Sequence, residues 1–175
     1  MTTAQIQALS SAQVGALNAT QIAALSANQI TAVDTVDLAA LNTTQIGALR
    51  ATQLSGLTTS QINNLTSTQM AGLTVAQLAQ LSSTQISALA STNLNKLTTT
   101  QIGKLNADAL SGVTTTQIAA LSSGSISGLN AAQVKALTTA QVKALTSGQV
   151  AAMTATQIAS LSEAQLSALD TADFA

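Results

Sequence analysis

Residues 114–121 read TTTQIAAL and residues 138–145 read TTAQVKAL. Taken as one unit, Thr/Ser-Thr-x-Gln-Ile-x-Ala-Leu, the pattern continues in both directions without an insertion. Its last position forms a column, Leu9, Leu17, Leu25, Val33, Leu41, Leu49, Leu57, Leu65 and on to Leu161 and Leu169. A second apolar column stands three residues earlier, at Ile6, Val14, Ile22, Ile30, Leu38, Ile46 and on to Ile158 and Leu166. The eight-residue period divides the 175 residues into about 22 units and reads as a single continuous array, 1–175.

Neither a long helix nor a flat strand satisfies that period. At about 100° per residue, eight residues advance the apolar stripe by about 80°, which would wind it round the helix. In a strand, apolar positions three apart point to opposite faces, and Ala, Gln and Leu favour helix. The chain must therefore restart every eight residues.

The restart signal lies in the unit itself. Position one is Ser, Thr, Asn or Asp except at Arg50 and Ala90, and position four is Gln in seventeen of twenty-two units. This is the spacing of a capping box, in which the first side chain accepts from the backbone N–H three residues on and the Gln reaches back to the N–H of the first residue. The preceding Leu and the following Ile then occupy the two positions of a hydrophobic staple. Each unit predicts one short capped helix, with starts near Thr58, Thr66 and Thr74. Isolated helices need roughly 12–15 residues to be even marginal in water, so stacking has to stabilise these. The expected fold is an all-α solenoid of very short helices, one per eight-residue repeat, with the Ile and Leu columns inside. Position seven is Ala, Gly or Ser in seventeen of the twenty-one complete units, which suits close approach of neighbouring turns.

Composition narrows function by what is missing. The sequence has no Cys, His, Trp, Tyr or Pro, one Phe (Phe174), and only 6% charged residues, against roughly 25% in average domains. A net charge of −1 gives no electrostatic handle for nucleic acid or an anionic membrane. No run approaches the roughly 20 apolar residues of a membrane span, and the first residues lack the basic and apolar regions of a secretory signal.

Candidate chemistry is sparse. The acidic pairs Asp34 with Asp37 and Asp170 with Asp173 fall at positions one and four, where carboxylates favour a helix N-terminus. Lys96 with Lys104 at position seven and Lys135 with Lys143 at position six read as exposed stripes. The units at 106–113 (NADALSGV) and 122–129 (SSGSISGL) lose the Gln and gain Gly, and read as softer spots in the stack. Gly124 and Gly128 lack the Lys of a phosphate loop. With no His to activate any Ser or Thr, no enzyme activity is expected, and no cofactor or metal.

Tandem LTTxQIxAL tracts resemble the octapeptide arrays of large bacterial exported or surface proteins, often labelled adhesins or haem-utilisation proteins. The likeness covers essentially the whole chain. It implies bacterial origin, an extracellular or cell-surface location and a structural or adhesive role, and it transfers no binding residue. The expected function is a structural scaffold, either a self-associating rod or filament subunit or the stalk of a surface protein. The partners expected are copies of the chain joined end to end through Ile6 and Leu9 at one end and Leu166, Leu169 and Phe174 at the other, and a surface or cell-envelope ligand. The alternative is a binding module that presents Thr and Ser, such as Thr98, Thr99 and Thr100 or Thr114, Thr115 and Thr116, to a periodic surface such as ice.

Overall fold

The computed structural model describes residues 1–169. Within them run twenty-one helices of four to six residues, one per unit, from Thr3–Gln7 to Glu163–Leu166. No strand occurs among the described residues. Thr58, Thr66 and Thr74 are extended N-caps, followed by the helices Thr59–Asn63, Ser67–Ala71 and Val75–Leu78. The fold is the solenoid of short helices that the octad predicts.

The bend between helices needs no special residue. Leu121 (φ −66°, ψ 146°) and Ser122 (φ −67°, ψ 152°) are both extended, and such a pair swings the chain from one helix into the next. The leucine N–H closes on the isoleucine carbonyl three residues back, Leu121 to Ile118 at 3.1 Å, which ends the helix in a tight 3₁₀-type bond. No described residue has a positive φ, so neither Pro nor left-handed Gly is required at the joints.

Each helix packs on the helices three units before and after it. Ala51–Ser55, for example, lies between Ala27–Thr31 and Val75–Leu78. About three units therefore complete one superhelical turn, and the stack presents three helical faces. The Ile and Leu columns fill its interior as one continuous cluster. Ile30, Ile46, Leu54, Ile62 and Met70 have no exposed surface, whereas Leu9, Leu17, Leu121, Met153 and Ile158 are half-buried. Dispersion contacts and removal of apolar surface from water act along the whole interior.

The small residues at position seven have a direct cause. This position faces position two of the unit three before it, so that Gly56 meets Ala27 and Gly72 meets Thr43. At unit 106–113 the turns come closer still. A Cβ on Gly112 would lie 2.3 Å from the Ser83 carbonyl oxygen, a distance no side chain can occupy. Large residues at position seven, Asn64, Gln80, Lys96 and Lys104, are all exposed and include no apolar side chain.

Ile62→Asp, which places an unpaired charge in the interior, should destabilise the chain by more than about 3 kcal/mol. Lys135→Ala on the exposed surface should change stability by less than about 0.5 kcal/mol. Thermal denaturation followed by circular dichroism compares the two, and similar melting of both variants would contradict the register.

Candidate functional site

The side chain that organises this molecule is the glutamine at position four. In unit 114–121 the Gln117 Oε1 accepts from the Thr114 N–H at 2.7 Å, and the Thr114 Oγ1 accepts from the Gln117 N–H at 3.1 Å. The capping box predicted from sequence is complete here and recurs along the array, from Thr2 with Gln5 to Ser162 with Gln165. It satisfies two of the amide groups that a helix start leaves without partners.

The other end of the same side chain reaches a different turn. Gln117 Nε2 donates to the carbonyls of Ile86, Ser87 and Leu89, at 3.2, 3.3 and 2.6 Å. Gln53 donates to Ile22 and Leu25, Gln69 to Leu38 and Leu41, Gln77 to Ile46 and Leu49, and Gln133 to Ile102 and Leu105. The acceptors stand 28 and 31 residues earlier each time, at positions eight and five of a unit in the turn beneath. The position-eight carbonyl lies just past the helix, and the position-five carbonyl already accepts from the position-eight N–H, so that it takes a second bond. One amide thus closes the N-terminus of its own helix and the C-terminus of another.

Burial follows from that double role. From Gln45 onward the position-four glutamines are buried, Gln53 and Gln133 completely. No buried side-chain polar atom lacks a hydrogen bond among the described residues. A buried amide with an unmet donor costs about 1–3 kcal/mol, while each bond made contributes about 1 kcal/mol net. The inter-turn half of this arrangement was not read from the sequence, yet a signal for it exists. A capping box accepts Glu as well as Gln, and position four contains no Glu in any unit. The need for an N–H donor excludes it.

Several units depart from the pattern. Arg50 offers no cap from its side chain and instead donates to the Leu25 carbonyl at 2.8 Å, while Gln53 still accepts from the Arg50 N–H. Asp34 occupies the N-cap position as expected, but its carboxylate makes no cap bond and accepts from the Thr35 hydroxyl instead. Asp37 accepts from the Ser11 hydroxyl in the turn below. Asp170 and Asp173 lie outside the described residues. In unit 90–97 Asn93 is too short for both tasks: it makes no cap bond, donates to the Leu65 carbonyl and accepts from the Ser67 hydroxyl in the turn beneath. Ala109 and Ser125 make no inter-turn bond of this kind, although Asn95 from the turn below accepts from the Ser122 N–H at 2.7 Å and donates to Ala120.

Elsewhere the surface brings no reactive groups together. Lys96, Lys104, Lys135 and Lys143 are all exposed. The members of each pair belong to consecutive units and therefore to different faces, because stacking joins units three apart. The expected stripes are thus not vertical rows. Thr98 and Thr114 are engaged in caps, whereas Thr99, Thr100, Thr115 and Thr116 are exposed. One surface depression of about 430 Å³ is lined by Thr31, Asp34, Thr35, Thr58 and Gln61 among others, and another of about 550 Å³ by Lys135, Ser160 and Ser162 with alanines. Each contains one ionisable group, so neither supplies an acid–base pair. Among the described residues no three His, Cys, Asp or Glu side chains gather for a metal, and no helix is long and apolar enough to cross a membrane. Of the residues expected at the joining ends, Ile6 is buried, Leu9 half-buried, Leu166 exposed and Leu169 buried, and Phe174 lies outside the described residues.

Short capped helices, three to a turn and bonded turn to turn by a buried amide, define a repeat solenoid with a one-dimensional architecture. The ALTTAQ repeat model matches residues 1–27, 30–67, 114–147 and 123–155, more than half of the sequence, and the chain belongs to the ALTTAQ repeat family. No curated protein matches it.

Two substitutions separate the two halves of the glutamine's role. Replacing Thr58 and Gln61 together by Ala removes a cap and an inter-turn bridge and should cost roughly 2–4 kcal/mol. Thr59→Ala with Ser60→Ala, between them, should cost less than about 0.5 kcal/mol. Gln77→Glu keeps the acceptor for the cap but turns a carboxylate onto the Ile46 and Leu49 carbonyls. The introduced Glu has its folded-state pKa raised above the unfolded value of about 4.3. The variant should therefore be destabilised at neutral pH and recover as pH falls through that raised pKa toward the unfolded one. Urea melts at several pH values test this, and a pH-independent loss would show that the amide donor is unimportant.

Proposed function

We propose that the chain is a structural rod, a segment whose product is length and a neutral hydroxyl-rich surface, and that it performs no catalysis. The observation that supports this reading most is the repeated reuse of one bond pattern: wherever position four is Gln from Gln45 to Gln165, its amide donates to the carbonyl 28 residues back and to a second one 30 or 31 residues back. A pattern set by translation along the stack serves extension, not a localised site. The resemblance to bacterial surface arrays adds a setting, as stalk or filament material outside the cell.

The ladder also favours end-to-end association of this chain. Gln5, Gln13 and Gln21 are exposed and have no described turn beneath them, while in the last turns the carbonyl pairs Val150 with Met153, Ile158 with Leu161, and Leu166 with Leu169 receive no glutamine from the described residues. Three amides at one end match three carbonyl pairs at the other. Whether the next turn comes from more chain or from a second copy, the same bonds form. A heterologous contact of this kind propagates as a filament.

A second reading has one observation in its favour. Thr20, Thr44, Thr68, Thr92 and Thr116 occupy position three of stacked units along one face, all exposed, before the face continues with Ala140 and Ala164, whereas on the other two faces this position mixes Ala, Asn, Val, Gly, Ser, Asp and Thr. The column supports presentation of hydroxyls to a periodic surface such as ice.

Sedimentation velocity and negative-stain microscopy of the 175-residue chain across a concentration series should show rods that lengthen with concentration. Gln5, Gln13 and Gln21 changed together to Ala should shorten them. A chain that stays monomeric at every concentration contradicts association through the ladder, and inhibition of ice recrystallisation by that monomer would favour the second reading.

A further inference from the structure

We propose that the stretch from unit 90–97 to unit 122–129 is a built-in joint, a place where turns of the rod separate before the remainder of the stack opens. The links made by five consecutive units show why. Gln101 and Gln117 keep their donors to the turn beneath, Asn93 keeps one, and Ala109 and Ser125 keep none. By the spacing of the ladder, the carbonyls left without a side-chain amide are those of Leu78 and Leu81 below Ala109, and of Leu94 and Leu97 below Ser125. The unbonded links alternate with bonded ones, so the weakness is spread over more than one turn and reaches all three faces.

Two further features gather in this stretch and just before it. Helices of four residues are Val75–Leu78, Ser91–Leu94, Thr99–Ile102, Ala107–Leu110 and Glu163–Leu166, so that four of these five lie between residues 75 and 110. Two units here also depart from the usual cap, as Asp34 and Arg50 do elsewhere. Ala90 has none, and Asn106 bonds to the Asp108 N–H instead of the N–H of the third helical residue.

Packing replaces bonding at the two amide-free links. Ala109 shares its unit with Gly112, and Ser125 shares its unit with Gly128. A Cβ on Gly128 would lie 2.9 Å from the Thr99 Cα, and one on Gly112 closer still to Ser83. The missing amide and the glycine act together, since the shorter side chain lets the turns approach and only Gly tolerates the approach. Backbone contact of this kind resists compression and does little against separation, because dispersion forces fall steeply with distance. At the Ser125 link the only directional bonds described beneath it are those of the Asn95 side chain to Ser122 and Ala120, and at the Ala109 link no side-chain amide reaches the turn beneath. The joint closes firmly and opens readily. Regions with fewer bonds open locally at lower free energy than the stack around them.

Native-state hydrogen exchange on the full chain tests this. Amides of residues 74–97 and 106–129 should exchange about tenfold or more faster than those of 130–165, well inside the array. A variant carrying Ala109→Gln with Gly112→Ala and Ser125→Gln with Gly128→Ala restores the ladder and should bring protection level with that flank. The reverse pair, Gln133→Ala with Ala136→Gly, should create a second fast-exchanging site below it, at residues 102–105. Uniform protection along the unmodified chain overturns the proposal. So does a restored variant that folds, by circular dichroism, yet exchanges as fast as before. Should the restored variant fail to fold, the reverse pair decides by whether the new site appears.

Discussion

Everything in this rod depends on the primary amide of glutamine having an acceptor and a donor at the same end of one side chain. The short helix creates the problem that this group solves. A helix of five residues consists almost wholly of ends, and nearly every backbone amide and carbonyl in it lacks an internal partner. Water can serve those on the surface, but the ones facing the stack are buried. Gln117 supplies an oxygen to the start of its own helix and a nitrogen to the ends of Ile86 and Leu89, so a single buried side chain compensates two sets of ends. A serine, aspartate or glutamate completes at most one of these tasks.

This division of labour explains the compositional oddities of the chain. Charged residues are unnecessary because polar satisfaction is delivered by neutral amides and hydroxyls, whose removal from water costs far less than that of ions. Aromatic residues have no place in an interior only wide enough for two aliphatic columns. Small residues dominate position seven because a neighbouring backbone occupies the space a larger side chain would take, as at Gly72 beside Thr43. The absence of Pro follows from a joint made of two extended residues with ordinary φ values.

Local structure was legible in the sequence, and the assembly of local pieces was only partly so. The capping box at Thr66 and Gln69 and the buried columns through Ile62 and Leu65 follow from spacing alone, because each involves residues within one unit. The number of units per turn does not, since a strictly repeated octad is compatible with any stacking offset. That is why the bridges from Gln69 to Leu38 and Leu41 were missed, and why Lys96 with Lys104 was read as one exposed stripe. Asp34 shows a smaller gap. Residue type and position identify an N-cap, but whether the carboxylate bonds the helix or the adjacent Thr35 hydroxyl is settled by side-chain rotation, which spacing does not encode.

The three-unit turn gives this chain an arithmetic of change that single units do not reveal. Repetitive coding sequence expands and contracts by whole repeats, and here the outcome depends on how many are gained or lost. Adding or removing one octad leaves most of the ladder intact, because each new Gln finds equivalent carbonyls beneath it, but it turns everything downstream by about a third of a revolution. The threonines at positions 20, 44, 68, 92 and 116 would then no longer share a face. A change of three octads alters length alone. Any feature written on one face of the rod is therefore inherited in blocks of twenty-four residues, while the rod itself tolerates blocks of eight.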